Sequence, residues 1–270
     1  MLACAGALAL QSLPGQAQIT NITSGNSSVS VNLGTQAGMF NWSVEGQNQL
    51  AQQWFWFRTG SGIAASLDTL PLLSYSVTGG DQLNALYGNS SFTIGTVFTL
   101  NGGAVGSGTS IMSEQVSINN LTGSSLPFHL FEYGNFPLNS PSVTVTNSGN
   151  HPGQFNDAYV SSTSNPNIHI QETTTAPPAE ETEAGIAPST LGNLNTVPNY
   201  VLNDVTNAGP GAGTFAFEWD TNIAASGSFQ ISKNLEIDGV SPIPEPAVLS
   251  LASLGLVAVG LLSRRFRPAK

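Results

Sequence analysis

The sequence predicts an all-β fold, an antiparallel two-sheet β-sandwich of jelly-roll-like type, followed by a single C-terminal transmembrane helix. Charged residues make up only 8% of the chain, while Gly, Ser, Thr and Asn abound, which is typical of strands joined by many turns. Short runs alternate apolar and polar residues, and a helical period is nearly absent before residue 247. An uncharged run then leads into the C-terminus, and this combination predicts a β body with one helical anchor.

The first segment, residues 1–17, is predicted to be a signal peptide. Residues 1–10 form an apolar stretch, and the small residues of Gly15-Gln16-Ala17 suit cleavage before Gln18. A signal peptide normally begins with Lys or Arg, but the first basic residue here is Arg58. We therefore expect the true start of the protein to lie upstream of Met1.

The body, residues 18–240, is predicted to form one extracellular domain. About 220 residues can bury a substantial core. Turn-forming stretches such as Gly79-Gly80-Asp81 separate the alternating runs, at spacings expected of a sandwich. The predicted strands cover residues 28–33, 72–78, 91–100, 142–146, 167–173, 214–220 and 226–231.

Residues 176–213 differ from their surroundings, because prolines, glutamates and glycines succeed one another there without a sustained period. This pattern predicts a long mobile loop within the domain. The strands that follow, up to Asp238, are too few to hold a core of their own. We therefore expect them to rejoin the main sandwich.

The charge balance is strongly acidic, with a formal net charge of −10, and Arg58 and Lys233 are the only basic residues of the body. So little positive charge leaves nothing to neutralise phosphates, which argues against nucleic acid as a partner. Cys4 is the only cysteine. Removal of the signal peptide would therefore leave no disulfide and no thiol nucleophile.

The densest aromatic segment is Trp54-Phe55-Trp56-Phe57. Strand alternation puts both Trp rings on one face and both Phe rings on the other. Exposed tryptophans stack on sugar rings, so Trp54 and Trp56 are candidate glycan contacts. The alternative is a central strand that is buried on both sides.

No catalytic residue, metal site or cofactor is predicted. The histidines His129, His151 and His169 are too scattered for a zinc motif, and scattered acids define no catalytic carboxylate pair. Two i, i+2 pairs, Glu218 with Asp220 and Glu236 with Asp238, would each share one strand face. Such pairs can hold Ca²⁺, with solvated edge carboxylates as the alternative.

The C-terminal segment, residues 241–270, has three parts. Pro244, Glu245 and Pro246 precede the uncharged run 247–262, and the chain closes with the basic residues Arg264, Arg265, Arg267 and Lys270. As a helix the run would be roughly 24 Å long, short of the ~30 Å bilayer core, which suits temporary anchoring. The basic cluster predicts a stop on the cytoplasmic side, with the body outside.

In these three parts and their order, the chain resembles the bacterial PEP-CTERM proteins, whose sorting signal is a Pro-Glu-Pro motif, a transmembrane helix and an Arg-rich end. The same region has also been labelled an ice-binding protein C-terminal domain. The resemblance implies recognition of Pro244, Glu245 and Pro246 by an exosortase, an integral-membrane cysteine peptidase. It also implies export to the cell surface or exopolysaccharide matrix. An uncleaved tail anchor is the alternative.

Together these features predict a non-enzymatic surface or matrix protein of a biofilm. Its expected partners are an exosortase, exopolysaccharide and, transiently, the inner membrane. The alternatives are a secreted carbohydrate-binding module or glycoside hydrolase, or an ice-binding adhesin, that uses the same tail.

Overall fold

The computed structural model describes residues 18–151 and 153–242, which form two antiparallel sheets enclosing one apolar core. The predicted two-sheet β-sandwich is therefore confirmed. The predicted signal peptide, the motif Pro244 to Pro246, the helix 247–262 and the basic tail lie outside the described residues. Within the described part, no helix has the length and apolar character needed to cross a bilayer.

Sheet A contains nine strands, in the order β1-β2-β3-β5-β11-β17-β15, with β4 paired to β3 and β6 to β5. All neighbours pair antiparallel except β3 and β5, which meet in one short parallel contact. The strands are β1 (Ile19–Ser24), β2 (Ser27–Asn32), β3 (Gly38–Val44), β4 (Gln47–Asn48), β5 (Gln52–Arg58), β6 (Ala65–Ser66), β11 (Leu126–Asn135), β15 (Glu181–Ile186) and β17 (Gly213–Ile223).

Sheet B also contains nine strands, in the order β16-β12-β13-β14-β18-β10-β9-β8-β7. The last strand of the described chain therefore lies in the middle of this sheet. The strands are β7 (Leu72–Thr78), β8 (Gln82–Gly88), β9 (Phe92–Gly102), β10 (Ser110–Asn120), β12 (Val143–His151), β13 (Gln154–Ser162), β14 (His169–Ala176), β16 (Asn207–Gly211) and β18 (Ser228–Asp238). A 3₁₀ turn (Leu67–Thr69) and one helix, α1 (Ser189–Thr196), complete the described elements.

The core follows from the period-two alternation of the strands. Along β9, Phe92, Ile94, Thr96, Phe98 and Leu100 are buried, while the residues that alternate with them are partly exposed. Aromatic rings join the two sheets, as where Trp54 stacks on Phe98 with ring centroids 6.4 Å apart. Because each large apolar side chain contributes about 1.5–3 kcal/mol when fully buried, this core stabilises the fold without any disulfide.

The prediction that Trp54 and Trp56 contact glycan is wrong, because both side chains are fully buried. Trp54 packs in the core, where Gly38 (φ +55°) leaves it room: a Cβ at Gly38 would lie 2.3 Å from its ring. Trp56 meets Tyr133 edge-on at 6.2 Å. The alternative of a central strand buried on both sides describes β5 correctly.

The prediction of a long mobile loop over residues 176–213 is also wrong. The segment contains β15 and β16, which extend sheets A and B, and the helix α1. The helix buries only Thr190 and Leu194, which leaves no apolar period to be recognised in the sequence. The expected return of the final strands to the sandwich is confirmed, since β17 joins sheet A and β18 joins sheet B.

Candidate functional site

The outer face of sheet A is covered by residues 187–206, here named the covering segment. On β5, Phe55 faces inward, since its ring lies 5.5 Å from the Nζ atom of Lys233 on sheet B. Alternation therefore turns Trp56 and Arg58 outward. Trp56 Nε1 donates to Asn195 Oδ1 of the covering segment at 3.0 Å, and Arg58 Nη1 donates to the Tyr200 carbonyl at 2.7 Å.

The covering segment is also fixed by Glu183 of β15, which is buried. The carboxylate of Glu183 accepts a hydrogen bond from Thr190 Oγ1 at 2.5 Å and another from the Tyr200 hydroxyl, which in turn accepts from Asn193 Nδ2 at 3.1 Å. Burial and the contact with Glu183 raise the pKa of Tyr200 to about 12. The segment is therefore held by specific side-chain contacts at both its helix and its following turn.

Beside the covering segment lies a group of three side chains, His129, Glu218 and Asp220, here named the His129 cluster. Strand register assembles it: His129 of β11 is directly opposite Arg58 of β5 and Asp220 of β17. His129 Nδ1 contacts Asp220 Oδ1 and lies 3.6 Å from Glu218 Oε1. The three ligand atoms all lie within 4.8 Å of one another.

The His129 cluster is buried on one side and open on the other. Glu218 is fully buried, while the side chains of His129 and Asp220 are 25% and 39% exposed. Burial and the nearby charge of Asp220 raise the pKa of Glu218 to about 8, although the Leu202 N–H, which donates to Glu218 Oε2 at 3.0 Å, opposes the shift. Glu218 is therefore largely protonated near neutral pH in the absence of a further cation.

More carboxylates surround the cluster. Asp220 N donates to Glu180 Oε2 at 3.1 Å, and burial raises the pKa of Glu180. Burial, a hydrogen bond with Asp204 and the charges of its acidic neighbours raise the pKa of Glu181 to about 7. Burial is the largest cause of both shifts, and the charges of the neighbouring acids add to it, so the local field favours protons or other cations.

Chemically, an imidazole with two carboxylates can move a proton or ligate a divalent ion. Among residues 18–151 and 153–242, His129, Glu218 and Asp220 form the one group of side chains placed to ligate a metal ion. The pairing of Glu218 with Asp220 on one strand face was predicted from their spacing. The approach of His129 was not, because it depends on the pairing of strands 91 residues apart.

The other predicted acidic pair has a different setting. Glu236 of β18 is exposed and Asp238 is partly exposed, which matches solvated edge carboxylates. His169, on the adjacent strand β14, packs its ring 5.0 Å from that of Tyr159. These residues form no ligand group in the described structure.

A second polar group, here named the Lys233 cluster, lies between the sheets and consists of Lys233, Glu114, Glu132 and Glu172. Lys233 Nζ is 2.9 Å from Glu114 Oε2 and 3.5 Å from Glu172 Oε1, and it also contacts Glu132 Oε1. All four residues are buried. Burial would lower the pKa of Lys233, but the three carboxylates together raise it, so the ammonium stays charged.

Beside the covering segment, a shallow cavity of about 350 Å³ is lined by polar and small side chains. Gln36 is exposed and Gln52 partly exposed at its rim. Asn195 Nδ2 donates to Gln36 Oε1 at 3.0 Å, which ties this rim to α1. The lining residues are Thr35, Gln36, Ala37, Ala51, Gln52 and Leu191.

No protein-family model matches the sequence, and no curated protein matches it either. Solved structures of the same fold do match. A candidate aldose 1-epimerase from Escherichia coli K12 is 11% identical with a TM-score of 0.54, covering 83% of this chain and 99% of that one. A galactose mutarotase-like protein from Lactobacillus casei is 9% identical with a TM-score of 0.52, covering 82% and 100%.

A bacterial glucoamylase, solved with acarbose, is 10% identical with a TM-score of 0.54, and the match covers 90% of this chain but 36% of the glucoamylase. At these identities the likeness establishes the fold alone. This chain therefore shares the two-sheet antiparallel β-sandwich fold with these three structures.

Proposed function

We propose that this chain is an exported cell-surface or matrix protein, sorted by its C-terminal signal, whose β-sandwich binds carbohydrate without transforming it. The proposal that the chain is sorted by its C-terminal signal depends on one observation. Pro244-Glu245-Pro246, an uncharged run and a basic end follow one another in the order of a PEP-CTERM signal. An exosortase is the partner that this order implies, with exopolysaccharide as the surrounding polymer.

The carbohydrate half is supported by the fold and by one surface. Related sandwiches occur in structures described as a mutarotase-like protein and as a glucoamylase complexed with acarbose. In this chain the shallow cavity beside the covering segment offers Gln36 Nε2 and Gln52 Oε1 next to the apolar Leu191, because Gln36 Oε1 already accepts from Asn195 and Gln52 Nε2 donates to the Gln36 carbonyl. Amide donors and acceptors beside an apolar patch suit a sugar ring, which has hydroxyls at its edge and C–H groups on its face.

The covering segment supports the proposal that the β-sandwich binds carbohydrate without transforming it. Its Tyr200 carbonyl accepts from Arg58, and its Leu202 N–H donates to Glu218. Two polar side chains on the outer face of sheet A are thus engaged by the chain itself. A substrate would have to displace these backbone groups before it could use either side chain.

The sorting proposal is tested by replacing Pro244, Glu245 and Pro246 with alanine in the native host. We expect the full-length precursor to accumulate in the inner membrane, as judged by fractionation and mass spectrometry. Pro242→Ala, two residues before the motif, is the matched control and should be processed normally. Normal processing of the triple variant would refute sorting by this motif.

The carbohydrate proposal is tested by binding of the protein to the host's own exopolysaccharide. Gln36→Ala with Gln52→Ala should weaken binding by about tenfold, equivalent to ~1.4 kcal/mol. Gln230→Ala, an exposed glutamine on β18, is the control and should bind as the parent does. If the parent shows no affinity, or if the double variant binds unchanged, the cavity is not the binding site.

A second candidate is an enzyme that acts on a sugar, and the His129 cluster is the observation that favours it. A protonated Glu218 beside an imidazole and a carboxylate forms an acid and base pair. Polarimetry with aldoses and product analysis with oligosaccharides test this candidate. Turnover that disappears in Glu218→Gln would replace the binding proposal, whereas the binding proposal predicts no turnover.

A further inference from the structure

We propose that His129, Glu218 and Asp220 form a binding site for one divalent transition-metal ion of the Zn²⁺ type. The site lies at the open edge of the outer face of sheet A, where β11 and β17 pair. This inference does not depend on the proposed function, because it rests on the ligand geometry alone.

The three ligand atoms already lie near the positions that a metal requires. Ligands about 2.0–2.2 Å from a tetrahedral ion are roughly 3.3–3.6 Å from one another. His129 Nδ1 and Glu218 Oε1 are 3.6 Å apart, and all three atoms lie within 4.8 Å. Asp220 Oδ1 is in direct contact with His129 Nδ1, so the side chain of Asp220, which is 39% exposed, has to move away from His129 to admit the ion.

A buried oxygen of the site has no hydrogen-bond partner. Glu218 Oε2 accepts from the Leu202 N–H, but Glu218 Oε1 is buried and accepts none. Arg58 does not satisfy it, since its Nη2 atom is 3.9 Å away, its Nη1 atom donates to the Tyr200 carbonyl and its guanidinium lies over the Phe131 ring at 5.5 Å. Buried carboxylate oxygens are normally paired, so this one points to a missing cation.

The surroundings favour a cation that enters from solvent. Glu180, Glu181 and Asp204 add negative charge around Asp220, and Arg58 is the nearby opposing charge. The exposed edges of His129 and Asp220 provide the entrance, while the covering segment closes the far side through Leu202. A metal bound here would retain an open position toward solvent.

The donor set distinguishes between metals. One imidazole nitrogen and two carboxylate oxygens suit Zn²⁺, whereas Ca²⁺ and Mg²⁺ prefer sites built wholly of oxygen with six or more ligands. The sequence offered Glu218 and Asp220 as a pair that can hold Ca²⁺. Because the structure adds a histidine to this pair, the site suits a softer ion than Ca²⁺.

The test uses the full-length chain, purified without an affinity tag, stripped with a chelator and titrated with zinc chloride by calorimetry at neutral pH. We expect one ion per chain and a higher unfolding temperature, and weaker responses to Ca²⁺ and Mg²⁺ at equal concentration. Asp220→Asn and His129→Gln should each weaken zinc binding by about tenfold or more. Asp238→Asn and His169→Gln, matched changes on sheet B, should leave it unchanged.

A second measurement avoids the variants, in case either fails to fold. Zinc added to the parent should shift the imidazole signals of one of the three histidines in nuclear magnetic resonance spectra, and resonance assignment of the parent should place these signals on His129. The proposal is overturned if zinc produces neither heat nor stabilisation, if His129→Gln and Asp220→Asn bind as tightly as the parent, or if the shifted signals belong to another histidine.

Discussion

The two carboxylate clusters lie on opposite faces of the same strand and differ in their access to water. On β11, Glu132 points inward to Lys233, whereas His129 points outward to Asp220. The Lys233 cluster is sealed between the sheets, with every member buried. The His129 cluster keeps one buried acid and opens to solvent through its other members. The carboxylates of the Lys233 cluster, from which water is excluded, therefore contribute to the stability of the fold. Those of the His129 cluster, which water reaches, can exchange protons or ions with the solvent.

Removing the buried charge of Lys233 should lower the stability of the protein more than any other change proposed here. Lys233→Met keeps the apolar stem but leaves Glu114, Glu132 and Glu172 without a counterion. Breaking a buried ion pair in this way costs about 3–5 kcal/mol. We therefore expect the free energy of unfolding, measured with denaturant, to fall by that amount, and to fall more at pH 8 than at pH 5 because acids can protonate at the lower pH.

Asp220→Asn is the matched change in the open cluster. Its carboxylate is partly exposed, and exposed ion pairs contribute about 0–1 kcal/mol. A loss as large as that of Lys233→Met would mean that the two clusters do not differ in the way proposed here.

The pH dependence of stability should reveal the acids with raised pKa values in the two clusters and beside the His129 cluster. The folded-state pKa values of Glu114 and Glu181 are raised to about 7 and that of Glu218 to about 8, from an ordinary value of 4.5. Between pH 4.5 and 8 the folded chain therefore binds more protons than the unfolded chain. We expect the free energy of unfolding to fall as pH rises from 5 to 8, by at most ~1.4 kcal/mol per pH unit for each acid.

Glu218→Gln sharpens this prediction, since an amide cannot titrate. The variant should show a shallower decline between pH 6 and 8, and the remaining slope then belongs to the other acids. Stability that rises over this range in the parent would contradict the raised pKa values.

A small effect is also expected where the covering segment is attached. Tyr200→Phe removes the hydroxyl that donates to Glu183 and accepts from Asn193, which should cost about 1 kcal/mol. Hydrogen exchange should also become faster in residues 187–206. Tyr159→Phe, which changes an exposed tyrosine of β13, should affect neither measurement, and equal effects of the two variants would show that the segment is not held through Tyr200.

Alternation in the sequence predicted the strands that have one apolar face. Residues 72–78 form β7 with the predicted bounds, and residues 214–220 and 226–231 lie within β17 or overlap β18. The strands β10 and β11 escaped prediction, because Glu114 and Glu132 occupy inward positions that a pattern search expects to be apolar. Glu114 and Glu132 thus concealed the strands that carry them, whereas Glu172 did not prevent the prediction of residues 167–173, which overlap β14.

The candidate site was only half predictable for a related reason. The spacing of Glu218 and Asp220 places them on one face of any strand, so their proximity follows from local geometry. His129 and Arg58 join them through strand pairing, which no local pattern encodes. Trp56 was misjudged because the interpretation of residues 176–213 as a loop left the outer face of β5 uncovered. Trp54 is buried instead against Phe98 of sheet B, a contact that no local pattern predicts.

The central position of β18 affects when the chain can complete its fold. This strand is the last to be synthesised in the described body, yet it separates β14 from β10 and carries the lysine on which three inward acids depend. Until residues 228–238 arrive, sheet B is split into two halves with bare edges, and the interior holds uncompensated charge. Sheet B therefore cannot be completed before the last strand of the described body has been synthesised and inserted between β14 and β10.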